Sequence, residues 1–109
     1  MEALKIEPGK KPYVIDIDME LETLQNEVGG YIQAINPFDD PVAIICNEEG
    51  KLLNLEPNRA IYDKNGELLD ILVGTFLIVG VCEDMFCWLT DELIEKYEKV
   101  FEEPEYYPF

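Results

Sequence analysis

Residues 75–82 read Thr-Phe-Leu-Ile-Val-Gly-Val-Cys, a strongly apolar segment of the chain. Its side chains are β-branched or apolar at nearly every position, which favours a buried strand. Residues 68–73, just upstream, fit either a helix or a strand. Asn65-Gly66 lies ahead of them and is the strongest short signal for a hairpin turn. The sequence therefore predicts a central strand at residues 75–82.

Further strand candidates lie nearer the N-terminus, at residues 3–7, 13–17, 31–36 and 42–46. Residues 8–12, which include two prolines and a glycine, separate the first two strand candidates, and this predicts a β-hairpin with a wide loop. Residues 47–51 form a turn, after which the apolar residues 52–55 return along the sheet. Residues 57–60, Pro-Asn-Arg-Ala, fit either a loop or a single helical turn with Pro57 at its first position.

Two helices complete the pattern. The first follows the hairpin, with Asp18 as its expected N-cap and Gly29-Gly30 as its end. The second begins after Thr90, has acidic residues in its first turn, and ends before Pro104.

These elements predict an α+β fold in one small domain over residues 1–109. We expect a mostly antiparallel sheet of about five strands and two helices, one after the first hairpin and one at the C-terminus. Residues 102–109 form an acidic, aromatic tail. This tail either packs back on the domain, which we favour, or marks an interface.

The chain is strongly acidic, with 24 Asp and Glu against 8 Lys and Arg and a net charge of −16 in 109 residues. Residues 67–109 carry −9, whereas residues 1–12 and 51–66 each carry +1. A field of this sign repels nucleic acids and anionic membranes and attracts basic proteins and cations. We therefore expect neither a nucleic-acid partner nor a membrane partner, and the charge does not settle the oligomeric state.

The cysteine pattern and the N-terminus predict a cytoplasmic protein. Cys46, Cys82 and Cys87 are odd in number and lack the spacing of a disulfide framework, so we expect a reducing compartment and cysteines packed in the core. The N-terminus does not resemble a signal peptide, and the longest apolar run, residues 71–82, is too short to cross a bilayer.

The residue types argue against an enzyme and against a cofactor or metal. The chain contains no His and no Ser, which removes the usual general base, the usual metal ligand and serine nucleophiles. Zinc would need ligands beyond Cys82 and Cys87. Residues 16–20 alternate carboxylates as a calcium loop does, but Leu21 stands where that loop requires glycine. Only carboxylate chemistry is left for an enzyme.

One candidate binding site remains, built from the few cationic residues. Arg59 is the only arginine, and arginine suits bidentate recognition of phosphate or carboxylate. Asn58, the loop residues Lys10 and Lys11, and the backbone of Gly29-Gly30 would complete a pocket for an anion. The alternative is a structural Arg59 that pairs with one of the chain's own carboxylates.

Several motifs resemble a known family. The chain resembles a family of small acidic proteins that forms a domain of unknown function. The resemblance lies in Val28-Gly29-Gly30, in Pro57-Asn58-Arg59 and in residues 7–12, 47–51 and 74–76. The resemblance spans nearly the whole chain. It implies a setting in bacteria, phages and integrative mobile elements, often beside anti-restriction genes. It implies no activity and no site.

Two functions follow as expectations. The first is a non-enzymatic binding protein that sequesters a small anionic, nucleotide-like ligand in the Arg59 pocket. The second is an acidic DNA mimic or protein–protein inhibitor of a basic host protein, acting against restriction or another defence. We expect the first, because mimicry does not require a lone arginine beside glycine-rich turns.

Overall fold

The described part of the chain, residues 1–107 of a computed structural model, contains eight strands and two helices. In chain order these are β1 (Glu2–Ile6), β2 (Tyr13–Asp16), α1 (Leu21–Val28), β3 (Ile32–Ile35), β4 (Val42–Asn47), β5 (Pro57–Tyr62), β6 (Leu68–Val73), β7 (Phe76–Cys82), β8 (Met85–Cys87) and α2 (Asp91–Val100). The main sheet has the order β2-β1-β7-β4-β3, with β8 beside β7, and β5 and β6 form a separate ribbon. Every strand pair is antiparallel.

The α+β class and the two helix positions are confirmed, and β7 is the central strand. Ile78 of β7 lies between Leu4 of β1 and Ile44 of β4, and all three side chains are fully buried. The strand is buried on both faces, as its apolar composition predicts. The sheet is larger than predicted, since the main sheet alone holds six strands.

The two faces of the sheet are covered by different elements. Helix α1 packs Leu24 and Val28 on the face that includes Leu77. Helix α2 and the β5–β6 ribbon cover the other face, where Tyr97 of α2 lies in the same cluster as Ile61 of β5. The sheet is therefore the middle layer, and the ribbon shares one outer layer with α2.

Two local predictions for the ribbon region need correction. Residues 57–60 are neither a loop nor a helical turn but the first part of β5. Residues 52–54 belong to a turn, in which Asn54 has a left-handed φ of 55°, and do not return along the sheet. Residues 68–73 are a strand, and the Asn65-Gly66 turn joins it to β5 as predicted.

The helix caps were predicted correctly at only one of the two N-termini. Thr90 caps α2, and its Oγ1 accepts a hydrogen bond from the Leu93 N–H at 3.3 Å. Glu20, and not Asp18, is the N-cap of α1. The carboxylate of Asp18, three residues before the first residue of the helix, accepts a hydrogen bond from the Glu20 N–H. An Asx-type turn has replaced the expected cap.

The prediction that all three cysteines pack as free thiols is wrong for two of them. Cys82 and Cys87 form a disulfide, with Cα atoms 5.9 Å apart. The turn between β7 and β8 consists of Glu83 and Asp84, both with left-handed φ angles, and it folds β8 back so that the two cysteines meet. Cys46 is free and buried, and burial raises the pKa of its thiol.

The part of the predicted tail within the described residues, 102–107, lies against the ribbon. The Ala60 N–H of β5 donates to Glu105 Oε1 at 3.0 Å. Residues 108 and 109 of the predicted tail lie outside the described residues. Neither helix of residues 1–107 has the length and apolar character of a membrane span.

Candidate functional site

The Arg59 guanidinium donates five hydrogen bonds within the chain. Its side chain is fully buried, and hydrogen bonds are formed by Nε, Nη1 and Nη2. The Phe101 carbonyl accepts from Nε at 3.2 Å and from Nη2 at 3.1 Å, and the Lys10 carbonyl accepts from Nη2 at 2.6 Å. Asn58 accepts twice from Nη1, through Oδ1 at 2.6 Å and its carbonyl at 3.4 Å. An arginine has five N–H donors, and five such contacts are present.

An irregularity in β5 places two consecutive polar side chains inside the protein. The β5–β6 register shifts between Pro57 and Arg59, so the strict alternation of inward and outward side chains is lost. Asn58 and Arg59 are both fully buried as a result. Asn58 Nδ2 donates to the carbonyls of Ile6 and Gly74, each at 2.9 Å, and thereby ties the ribbon to the main sheet.

The charge of Arg59 is balanced by dipoles. No carboxylate of the described residues lies within ion-pair distance of the guanidinium, and burial lowers its pKa, an effect that Glu105 partly opposes. Phe101 is the C-cap of α2, where the helix dipole places partial negative charge. A structural Arg59 was the alternative prediction, but its partners are backbone and amide oxygens, not the carboxylate we expected.

The two lysines of the predicted pocket turn away from Arg59. Lys10 contributes its carbonyl to the guanidinium, while its ammonium lies 3.1 Å from Glu7 and is mostly exposed. Lys11 is exposed and lines a shallow cleft with carboxylates of α2, among them Glu95 and Glu98. Neither ammonium is directed at a shared anion position beside Arg59.

Gly29-Gly30 lies on the other side of the sheet. Both amides donate to the Gln25 carbonyl, at 2.8 and 3.0 Å, and close the C-terminal end of α1. Gly29 has the left-handed φ of 81° that favours glycine, and a Cβ on Gly30 would come within 2.9 Å of Asn47 Nδ2. These amides are therefore used within the chain.

The structure thus brings Arg59, Asn58 and the Lys10 backbone together and leaves the other predicted ligand residues apart. Binding of an anion by these residues stays a prediction. It would require Arg59 to leave the carbonyls that now accept its hydrogen bonds. Within residues 1–107, no three His, Cys, Asp or Glu side chains are grouped as metal ligands would be.

The chain's positive charge is largely paired within the chain. Six of its seven lysines contact a carboxylate of the same molecule: Lys5, Lys10, Lys51, Lys64, Lys96 and Lys99. The only arginine is buried. The outer surface is therefore dominated by carboxylates that exceed the available cations.

Asp40 anchors the acidic helix α2 to the sheet. Its Oδ2 accepts from Lys96 Nζ at 2.5 Å and from the Tyr97 hydroxyl at 2.7 Å. The hydrogen bond from Lys96 lowers the pKa of the Asp40 carboxyl, and the Tyr97 hydroxyl adds to the effect. Burial, together with the bond to Asp40, raises the pKa of Tyr97 well above its ordinary value.

A second feature, not expected from the sequence, is an apolar groove of about 760 Å³ beside β6. We call it the ribbon groove; it is lined by Lys51, Asn54, Leu55, Glu56, Pro57, Leu68, Leu69, Asp70, Ile71 and Val73. The signal in the sequence is the adjacent pair Leu68-Leu69. The β5–β6 register shifts between Ile61 and Tyr62, which makes Leu69 an extra residue in β6. The alternation of faces is lost there, so both leucines line the groove.

Together, the fold and this surface define a class: a small acidic α+β domain with a buried arginine and an open apolar groove. The profile of the family described as Domain of unknown function (DUF3846) matches residues 1–102, and the chain belongs to that family. No curated protein and no solved structure matches the chain.

Proposed function

We propose that this chain is a non-enzymatic protein that binds a basic protein through its acidic surface. The observation that carries the proposal is the internal pairing of the cations. With six lysines in ion pairs and Arg59 buried, the net charge of −16 is displayed outward as carboxylates. Such a surface steers basic partners into fast, salt-sensitive association.

The occupied donors favour this function over sequestration of a small anion. An anion site needs N–H groups or ammonium groups that are free to bind it. The Arg59 guanidinium donates to three residues of its own chain, and the Gly29 and Gly30 amides donate to Gln25. Binding of a basic protein, the second of the two expected functions, is therefore the one that the geometry supports better.

The charge density on α2 supports a DNA-mimic form of the proposal. Four carboxylates lie close together on this helix: Asp91, Glu92, Glu95 and Glu98. At a rise of about 1.5 Å per residue they are separated along the axis by about 1.5, 4.5 and 4.5 Å, and Glu95 is paired with Lys99. The helix thus presents a dense row of negative charge, as a phosphate backbone does. A basic DNA-binding protein of a host restriction or defence system is the partner that we propose.

The test is retention of basic proteins by the immobilised chain, followed by elution with rising salt and, separately, with duplex DNA. We expect retained proteins to be DNA-binding and to be released by both treatments. Retention that salt and duplex DNA leave unchanged would contradict the proposal, and so would retention of no basic protein at low salt.

A pair of variants of equal charge locates the surface. One variant carries Asp91→Asn, Glu92→Gln and Glu98→Gln on α2. The other carries Glu20→Gln, Glu22→Gln and Glu48→Gln, which lie away from α2. We expect the α2 variant to release its partner at lower salt than the matched control. Equal behaviour would show that total charge, and not the helix surface, determines binding.

A further inference from the structure

Six of the ten residues that line the ribbon groove are apolar, and the groove is open to solvent. Leu68 and Leu69 on β6 are 57% and 52% exposed, at the point where the β5–β6 register shifts. Leu52 and Leu53, in the turn before the groove-lining residue Leu55, are 83% and 56% exposed. Single exposed apolar side chains are common, but a groove lined by two exposed leucines, with two more in the adjoining turn, is typical of an interaction surface.

The charges around the groove select the chemistry of its occupant. Three charged residues line the groove, Glu56, Asp70 and Lys51, and together they carry a net charge of −1. Lys51 and Asp70 form an ion pair, so the Glu56 carboxylate accounts for that net charge. The chain as a whole carries a net charge of −16. An apolar segment with positive flanks complements this surround.

The outward N–H groups of one facing residue pair in the ribbon are occupied by carboxylates, which bears on how an occupant docks. Ala60 of β5 faces Ile71 of β6 across the ribbon. The Ala60 N–H donates to Glu105 Oε1 at 3.0 Å, and the Ile71 N–H donates to Asp70 Oδ1 at 2.8 Å. Both outward amides are therefore satisfied by carboxylates, a device that discourages strand addition. The occupant enters by its side chains.

We propose that the ribbon groove binds a peptide segment of the basic partner that carries large apolar side chains in its centre and lysines or arginines on both sides. The inference rests on the proposed function and adds the contact site and the sequence character of the partner. A second copy of the chain is a poorer occupant, because two acidic molecules repel each other.

The test uses three labelled synthetic peptides and fluorescence anisotropy. One has leucine and phenylalanine in its centre and lysines at both ends; the second has the same centre and glutamates at the ends; the third has lysine ends and a glutamine centre. We expect the first peptide to bind at least about tenfold more tightly than the other two, the effect of one well-packed anchor side chain.

A matched pair of leucine variants assigns binding to the groove. Leu68→Ser removes a groove side chain that is 57% exposed, and Leu21→Ser removes a leucine of α1 that is 58% exposed. We expect Leu68→Ser to weaken the first peptide by about tenfold and Leu21→Ser to leave it unchanged. Circular dichroism and the fluorescence of Trp88 serve as controls for folding.

The remaining outcomes separate the two proposals. If both lysine-ended peptides bind equally and Leu68→Ser has no effect, the groove proposal fails while binding through acidic charge stands. If neither lysine-ended peptide binds at low salt, both proposals fail. If sedimentation shows a dimer of the parent chain that Leu68→Ser converts to a monomer, the groove is covered by a second copy and our assignment is overturned.

Discussion

Replacing Arg59 with alanine should destabilise the fold strongly, because the guanidinium satisfies acceptors from three parts of the chain. The variant leaves the buried Phe101 carbonyl and Asn58 Oδ1, and the part-buried Lys10 carbonyl, without their donor. Each orphaned buried acceptor costs about 1–3 kcal/mol, so the two buried acceptors together cost about 2 kcal/mol or more, and the Lys10 carbonyl, which water can reach, adds less. The lost packing of the arginine stem adds to that cost.

That loss is large against the total stability of a small domain, about 5–15 kcal/mol. The free energy of unfolding should be measured by urea titration of the parent and the variant, with the slope m compared to show that the same transition is followed. A thermal melt should show a fall in Tm of more than about 10 °C.

Two further variants define the cause. Arg59→Lys keeps the charge but offers a compact ammonium in place of a planar fork, so it should recover only part of the lost stability. Lys11→Ala removes an exposed cation nearby and should change the free energy of unfolding by less than about 0.5 kcal/mol. A change below about 1 kcal/mol for Arg59→Ala would refute the reasoning. It would also return the guanidinium to consideration as a ligand-binding group.

Three more predictions follow from local contacts. A Cβ on Gly80 would lie 2.2 Å from the Trp88 carbonyl oxygen, so Gly80→Ala should cost about 1–3 kcal/mol in urea titration as β8 is displaced. Because Lys96 lowers the pKa of Asp40, the Asp40 carboxylate stabilises the fold at neutral pH, and this effect is lost as pH falls through the folded pKa. In Asp40→Asn, the free energy of unfolding should therefore fall less steeply as the pH is lowered. Thr90→Ala should cost about 1 kcal/mol, seen as a lower Tm, and an unchanged Tm would show that the cap contributes nothing.

The elements whose formation depends on nearby residues were predictable from the sequence. The apolar run at β7, the Asn65-Gly66 turn and the Thr90 cap each act through neighbours in the chain, and each is where the sequence indicates. Strand β5 was missed because Pro57 and two polar residues follow no strand pattern. Their place in the ribbon depends on contacts with residues more than 40 positions away.

The candidate site shows the same division. Asn58 and Arg59 were correctly singled out as unusual, but a sequence does not show whether a cation faces solvent or a helix end. The Cys82–Cys87 disulfide was missed because the odd number of cysteines argued against disulfides. The hairpin turn at Glu83 and Asp84, which brings the two cysteines together, was not predicted. The ribbon groove is exposed because the main sheet covers only one face of the ribbon. The spacing of apolar residues within β5 and β6 does not show which face that is.

The reach of the Arg59 guanidinium also constrains how the protein is made. Its hydrogen bonds join residues separated by 49 positions toward the N-terminus and 42 toward the C-terminus. During synthesis Lys10 and Asn58 precede Arg59, so the guanidinium lacks only its two hydrogen bonds to Phe101 until that residue has left the ribosome. Contacts of such long separation are formed slowly. The ribbon and its exposed leucines are therefore incompletely anchored in the nascent chain until α2 is made, and in that interval they are open to premature association.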